Sequence, residues 1–366
     1  MTEIPMAHDV PPDRMSPPER MQVLMSGKRP DRIPILPFIF GFVTKNCGWE
    51  VADVYRDPQK AFVAHLRTSE QYGYDGSPIY GYASVGGWEF GGEIKMPTGE
   101  FSQAPTVTRF PVETEDDVDR LKLPDDIMTA GAVPIMYEFS KLQDRLGMPI
   151  TVQMGSCFTA AGNTVETSTL LKWMIKRPSL AHHLLGLQRD FFLALAKKWV
   201  ELFPGRMIMG FDGGPTEANS LISVKQFREF ALPYAHEIHE KALDMGFTQF
   251  FTHCCGEQNG NLPYWQDLEY GRNGVPGMFS VGQEVDLTRA IEVMGDKCVI
   301  LGNVEPSKIL TGTPEEVWEV TKEAVLKGKV APRGYALMSG CDVANETPGF
   351  NLYTWVKAGK YFGQYD

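Results

Sequence analysis

The sequence predicts an α/β chain closed into a (β/α)8 TIM barrel, with an N-terminal extension and a hairpin excursion near the barrel mouth. Three observations carry this. Short apolar runs alternate with longer segments of helical periodicity. The runs are apolar on both faces, as strands of a parallel sheet covered by helices must be. No Gly-x-Gly-x-x-Gly turn follows the first run, which disfavours an open doubly wound sheet.

In chain order, the polar, Pro-rich stretch 1–15 reads as a flexible leader, and 16–366 as one barrel domain. Ser16-Pro-Pro-Glu19 opens a short helix with a Ser cap and early prolines. Ile33-Pro-Ile-Leu-Pro-Phe-Ile-Phe40 suits a buried strand, as does a short stretch at 78–80. Further strands are expected at 150–154, 207–210, 248–252, 277–281, 298–302 and 335–339, which brings the number to eight. Helical periodicity is clearest over 179–202, 224–245, 314–326 and 350–361. The Gly-, Thr- and Val-rich stretch 82–124 is the expected hairpin excursion over the mouth.

A net charge of -11 and the lack of any Lys/Arg run argue against a nucleic-acid partner. No apolar stretch of about 20 residues offers a membrane span, and the N-terminus has no apolar core of a signal peptide. Six dispersed cysteines favour free thiols or metal ligands in a reducing cytoplasm over a disulfide framework. The oligomeric state is left open, a homodimer included.

Polar residues follow five consecutive predicted strands: Asp212, then His253 with Cys255, Gln283, Asn303 and Cys341. In a barrel these ends form the rim where active sites are built. Residues i and i+2 of an extended segment project to one side, so His253 and Cys255 can reach one ion. His-x-Cys alone is a weak pattern, equally compatible with a core histidine beside buried thiols. Cys341, at the end of the last strand, tips the balance, because strands five and eight face each other across a barrel mouth. Two thiolates and an imidazole suit zinc with an open fourth position. Cys254 points the other way, and Cys298 reads as a small buried hydrophobe. Asp212, Gln283 and Asn303 are candidates to orient substrate or ligands, and Glu217 or Glu257 to fill the fourth position. For all five, plain hydrogen bonding at the rim is the alternative.

Several ordered elements resemble the uroporphyrinogen decarboxylase superfamily over almost the whole chain from about Ser16. They are Ser16-Pro-Pro-Glu-Arg-Met with Arg29-Pro-Asp-Arg-Ile-Pro, Gly155-Ser-Cys-Phe-Thr, and Ile222 through Tyr234. His253-Cys-Cys-Gly, Gly302-Asn-Val-Glu-Pro with Gly312-Thr-Pro-Glu-Glu-Val, and Ser339-Gly-Cys followed by Thr347-Pro-Gly-Phe-Asn complete the set. Where tetrapyrrole decarboxylases carry an Arg-rich segment, this chain has the apolar Pro37-Phe-Ile-Phe-Gly-Phe-Val-Thr44. It therefore looks like the zinc-dependent corrinoid methyltransferase branch, whose His-x-Cys and distant Cys match His253, Cys255 and Cys341. The resemblance implies a one-carbon transferase that moves a methyl group between a corrinoid protein and a small thiol such as coenzyme M. The alternative within the branch is the methyl donor:corrinoid half of an O-demethylase system, acting on an aryl methyl ether. For that, Phe38, Phe40, Phe42, Tyr80, Tyr82 and Trp88 are candidate pocket residues. No Asp-x-His-x-x-Gly corrinoid signature occurs, so cobalamin would come with a partner protein.

Overall fold

A computed structural model describes residues 4–99 and 102–365. The first three residues of the expected leader, Glu100 and Phe101 of the excursion, and Asp366 lie outside the described residues. Two short strands come first, β1 (Glu93–Lys95) and β2 (Thr106–Arg109), paired antiparallel as the expected hairpin. The barrel strands follow: β3 (Ile150–Gln153), β4 (Ile208–Gly213), β5 (Gln249–Cys254), β6 (Gly277–Val281), β7 (Cys298–Val304) and β8 (Tyr335–Ser339). They form a parallel sheet in sequential order, and every residue of β3, β5, β6 and β8 is buried.

The other two expected strands are staves without regular ladders. Along the first, Leu36 N–H donates to the Leu337 carbonyl (2.8 Å) and Leu337 N–H donates back to Pro34 (2.9 Å). Pro34 and Pro37 have no N–H, so pairing stops at an isolated bridge between Ile35 and Leu337. The second stave joins the first through Asp75 N–H to the Ile35 carbonyl (2.8 Å). Side chains attach its far side. The Gln153 amide accepts from Tyr82 N–H (2.6 Å) and donates to the Tyr82 carbonyl (2.7 Å), and Gln143 Nε2 donates to the Pro78 carbonyl (2.9 Å).

Helices between strands follow their capping signals. Ser16 and Glu19 form a capping box ahead of Pro17–Met25, and Thr313 with Glu316 starts Pro314–Gly328 in the same way. The helix expected over 224–245 is two helices, Val224–Phe230 and Leu232–Met245, because Pro233 can only stand in a first turn. Below the barrel, Arg20 is buried against Asp31 (Nε to Oδ1 2.8 Å) and Asp75, and Arg32 bonds Asp75 Oδ2 at 2.6 Å. Asp13 pairs with Arg32 (2.6 Å) and Lys360 (3.0 Å), linking the stretch before Ser16 to the last helix, Gly349–Phe362.

Candidate metal centre

Neighbouring residues on a strand face opposite sides of the sheet, and that parity sorts the end of β5. His253 points into the barrel, while Thr252 and Cys254, both 0% exposed, point to the helix layer. Cys255 follows the strand on the His253 side, and Gly256, at φ 77°, turns the chain away in a conformation that favours glycine. Across the mouth, Cys341 follows β8. One ligand atom from each of His253, Cys255 and Cys341 lies within 4.8 Å of the others.

The imidazole is oriented from two sides. Its Nδ1 lies 2.6 Å from the Ser280 hydroxyl, on the register partner of His253 in β6. The Phe38 ring stacks on it at 4.5 Å and 25°. With Nδ1 engaged, Nε2 is buried and has no hydrogen-bond partner. A buried ring nitrogen left bare beside two thiols is the arrangement expected of a metal ligand. The thiols are coupled: a hydrogen bond from Cys255, then the adjacent His253, lowers the pKa of Cys341 against its burial. The same bond, with burial, raises that of Cys255. Thiol ligands give up their protons when a cation binds. Imidazole and thiolates are the donor set preferred by zinc. Burial, helped by nearby carboxylates, pushes the Cys254 and Cys157 thiols well up, and burial lifts Cys298 to about 12 against Lys297 and Arg333, which leaves those three inert.

The rim loops are laced together around these donors. Phe38 N–H donates to Ser339 Oγ (3.3 Å), and Phe40 N–H to Asp342 Oδ1 (3.1 Å). Burial, with the neighbouring Cys341, drives the Asp342 carboxyl well above the ordinary range. From the excursion, Gln103 reaches Asp342 (3.5 Å) and its carbonyl accepts the Tyr55 hydroxyl (3.0 Å). Gln258 Nε2 ties the β5 loop to the Gly214 carbonyl (3.1 Å).

The remaining expected site residues fall in different places. Asn303 is a brace at the rim, donating to the carbonyls of Gly282 (3.0 Å) and Val285 (2.8 Å). Gln283 is exposed at the rim and bonds Glu284. Asp212 is not in the mouth. Its register partner is Thr252, so it faces the helix layer, where Thr252 donates to it (2.6 Å) and His239 Nε2 lies 2.7 Å away. The expectation that it touches substrate or ligands is therefore corrected by strand parity. Glu217 is also set apart: Ser156 bonds one oxygen and the other is unpartnered in a small cavity with Cys157, Asp212 and Trp265. Burial pushes its carboxyl up to about 7. Glu257 folds back onto Asn259 (2.8 Å). Neither acid belongs to the donor group. Of the aromatic candidates, Phe38 stacks on His253 and Phe40 packs on Phe38 (5.1 Å), whereas Tyr80 stacks on Phe139, Tyr82 packs on Tyr55 and Trp88, and Phe42 contacts Tyr72. Ser280 and Phe38 were not singled out as supports for His253. The available signal was a lone hydroxyl on the inward face of an apolar strand, in register with a candidate ligand.

Known proteins agree with this architecture. Residues 16–362 match the uroporphyrinogen decarboxylase (URO-D) family. A methylcobamide:CoM methyltransferase of Methanosarcina acetivorans is 30% identical over 280 residues, covering 75% of this chain and 76% of that protein. A methylated-thiol–coenzyme M methyltransferase of Methanosarcina mazei is 29% identical over 242 residues, covering 65% of this chain and 60% of that protein. A solved methyltransferase structure from Methanosarcina mazei superposes with a TM-score of 0.78 at 22% identity, over 95% of this chain and 99% of its own. That likeness supports the closed barrel. A match over nearly the full length makes the chain a member of the uroporphyrinogen decarboxylase family.

Proposed function

We propose that this protein is a corrinoid-dependent methyltransferase that moves a methyl group between the corrinoid of a partner protein and a small thiol. Zinc would be held by His253, Cys255 and Cys341. The observation that carries the reading is the three-donor cluster with the bare, buried Nε2 of His253 at its centre. The relatives' named activities supply the reaction class.

Zinc bound there would lower the proton affinity of an incoming thiol and present it as a nucleophile near neutral pH. The chain's own residues prepare that chemistry. Ser280 and Phe38 hold the ring so that Nε2 faces the two sulfurs. Cys255 and Cys341 would bind as thiolates, releasing their protons as the cation arrives. Phe38 packs an apolar ring against the imidazole, with Phe40 set edge-on to it. Rings also cluster beside the donors, Phe38 on His253 with Phe40 and Phe211 on Phe38, so methyl transfer from an aryl methyl ether is the second reading.

The test compares zinc content of the protein with that of Cys341→Ser. Methylcobalamin demethylation by small thiols and cob(I)alamin methylation by methoxyaromatics are assayed in parallel. About one zinc per chain, lost in the variant together with thiol-dependent transfer, is expected. Full zinc occupancy in the variant, or none in the parent, overturns the ligand set. Transfer only from methoxyaromatics overturns the thiol.

A further inference from the structure

The charges around the donors are one-sided. Loops following β3 to β8 contain not one Lys or Arg; apart from Glu217 and Asp342, whose carboxyls are pushed up, and Glu346, paired with Lys45, they carry Glu257, Glu284, Asp286 and Glu305. The nearest cations in sequence lie outside these loops. Lys45 pairs with Glu346 and Arg289 with Glu292, while Lys225 and Lys308 lie within the helices Val224–Phe230 and Pro306–Thr311. The excursion is no compensation: between 83 and 132 it sets Lys95, Arg109, Arg120 and Lys122 against ten carboxylates, with Arg109 and Arg120 paired to Glu93 and Asp117. Yet the relatives' named substrate, coenzyme M, is a thiol with a sulfonate tail, and a bound sulfonate needs a cation or several N–H donors.

Resting on the thiol reading above, we propose that this mouth selects a small thiol without an anionic tail, neutral or cationic at the end remote from sulfur. The bare His253 nitrogen and the two sulfurs mark where the reacting end binds. The carboxylates of the β5, β6 and β7 loops set the field that its tail enters, and a rim of one sign repels like charge from a partly desolvated site. Apolar Phe38 and Phe40 offer the tail no N–H or cationic partner.

The probe is the full-length protein loaded with Co(II) in place of zinc and titrated with three thiols of similar size: cysteamine, 2-mercaptoethanol and coenzyme M. Sulfur-to-cobalt charge-transfer absorption reads binding without turnover. Affinities are compared at equal thiolate concentration. Coenzyme M is expected to bind roughly tenfold or more weakly than cysteamine at low salt. That gap should narrow as salt screens the rim, and the exposed-site variant Glu284→Lys should narrow it further. Coenzyme M binding as tightly as cysteamine, with no salt dependence, overturns the proposal and leaves the thiol reading intact. Cobalt that does not bind, or a spectrum that no thiol alters, overturns the thiol reading and this proposal with it.

Discussion

Replacing Ser280 by alanine tests whether the imidazole must be held from behind to bind a metal. Ser280 is 0% exposed and its hydroxyl lies 2.6 Å from His253 Nδ1. A ring that binds metal through Nε2 carries its proton on Nδ1, so in the loaded state His253 donates to Ser280. Removing the acceptor leaves that N–H buried and unsatisfied, at a cost of about 1–3 kcal/mol. Partners of this kind typically tune metal affinity by about 10–100-fold, or about 1.4–2.7 kcal/mol, the same range as the lost bond. Zinc affinity of Ser280→Ala is measured by competition with a chromogenic chelator, and stability of the metal-free protein by urea unfolding. A 10-fold or greater loss of affinity is expected. Affinity within about twofold of the parent, beside reduced metal-free stability, would show that Ser280 supports the barrel and not the ligand.

Two more variants address the frame. Arg20→Met leaves buried Asp31 without its ion-pair partner and Asp75 with Arg32 alone, and should cost about 3–5 kcal/mol in denaturant unfolding. Burial raises the Asp31 carboxyl, but Arg20 and the N–H groups of Arg14 and Met15 outweigh it and hold the group well below 3.8. That stabilisation is present above the ordinary value and drains away as pH falls toward the folded one, so acid unfolding of the variant should be shallower below pH 3.8. Equal slopes would remove Asp31 from the account. Glu217 shows the opposite sign: burial lifts it from 4.5 to about 7, so parent stability declines as pH rises through that interval. Glu217→Gln should abolish the decline, gaining up to about 3 kcal/mol on the alkaline side. Parallel urea curves for the two proteins on either side of the interval would contradict it.

The donor triad was legible because its logic is local. Period-two alternation puts His253 and Cys255 on one side, and chain order brings the end of β8 to the same mouth. The barrel was legible from the apolar runs, although Pro34 and Pro37, plain in the sequence, already forbade a full ladder along the first stave. Asp212 was misplaced because polarity after a strand says nothing about which face a residue takes. Only the register with Thr252 decides that. Ser280 and Phe38 act across the sheet and the lumen, so their contacts depend on closure, which no stretch of sequence displays.

The Gln153 amide, by taking both backbone groups of Tyr82, makes the second stave a seam in an otherwise woven wall. Length and composition beyond that seam, from Tyr82 onward, can drift without disturbing the register of β3 to β8. The donors stay aligned while the rim above them is rebuilt, and the two communicate directly where Gln103 meets Asp342. A fixed donor group can in this way sit beneath rims of different shape, with a few side-chain bonds as the cost of refitting the mouth.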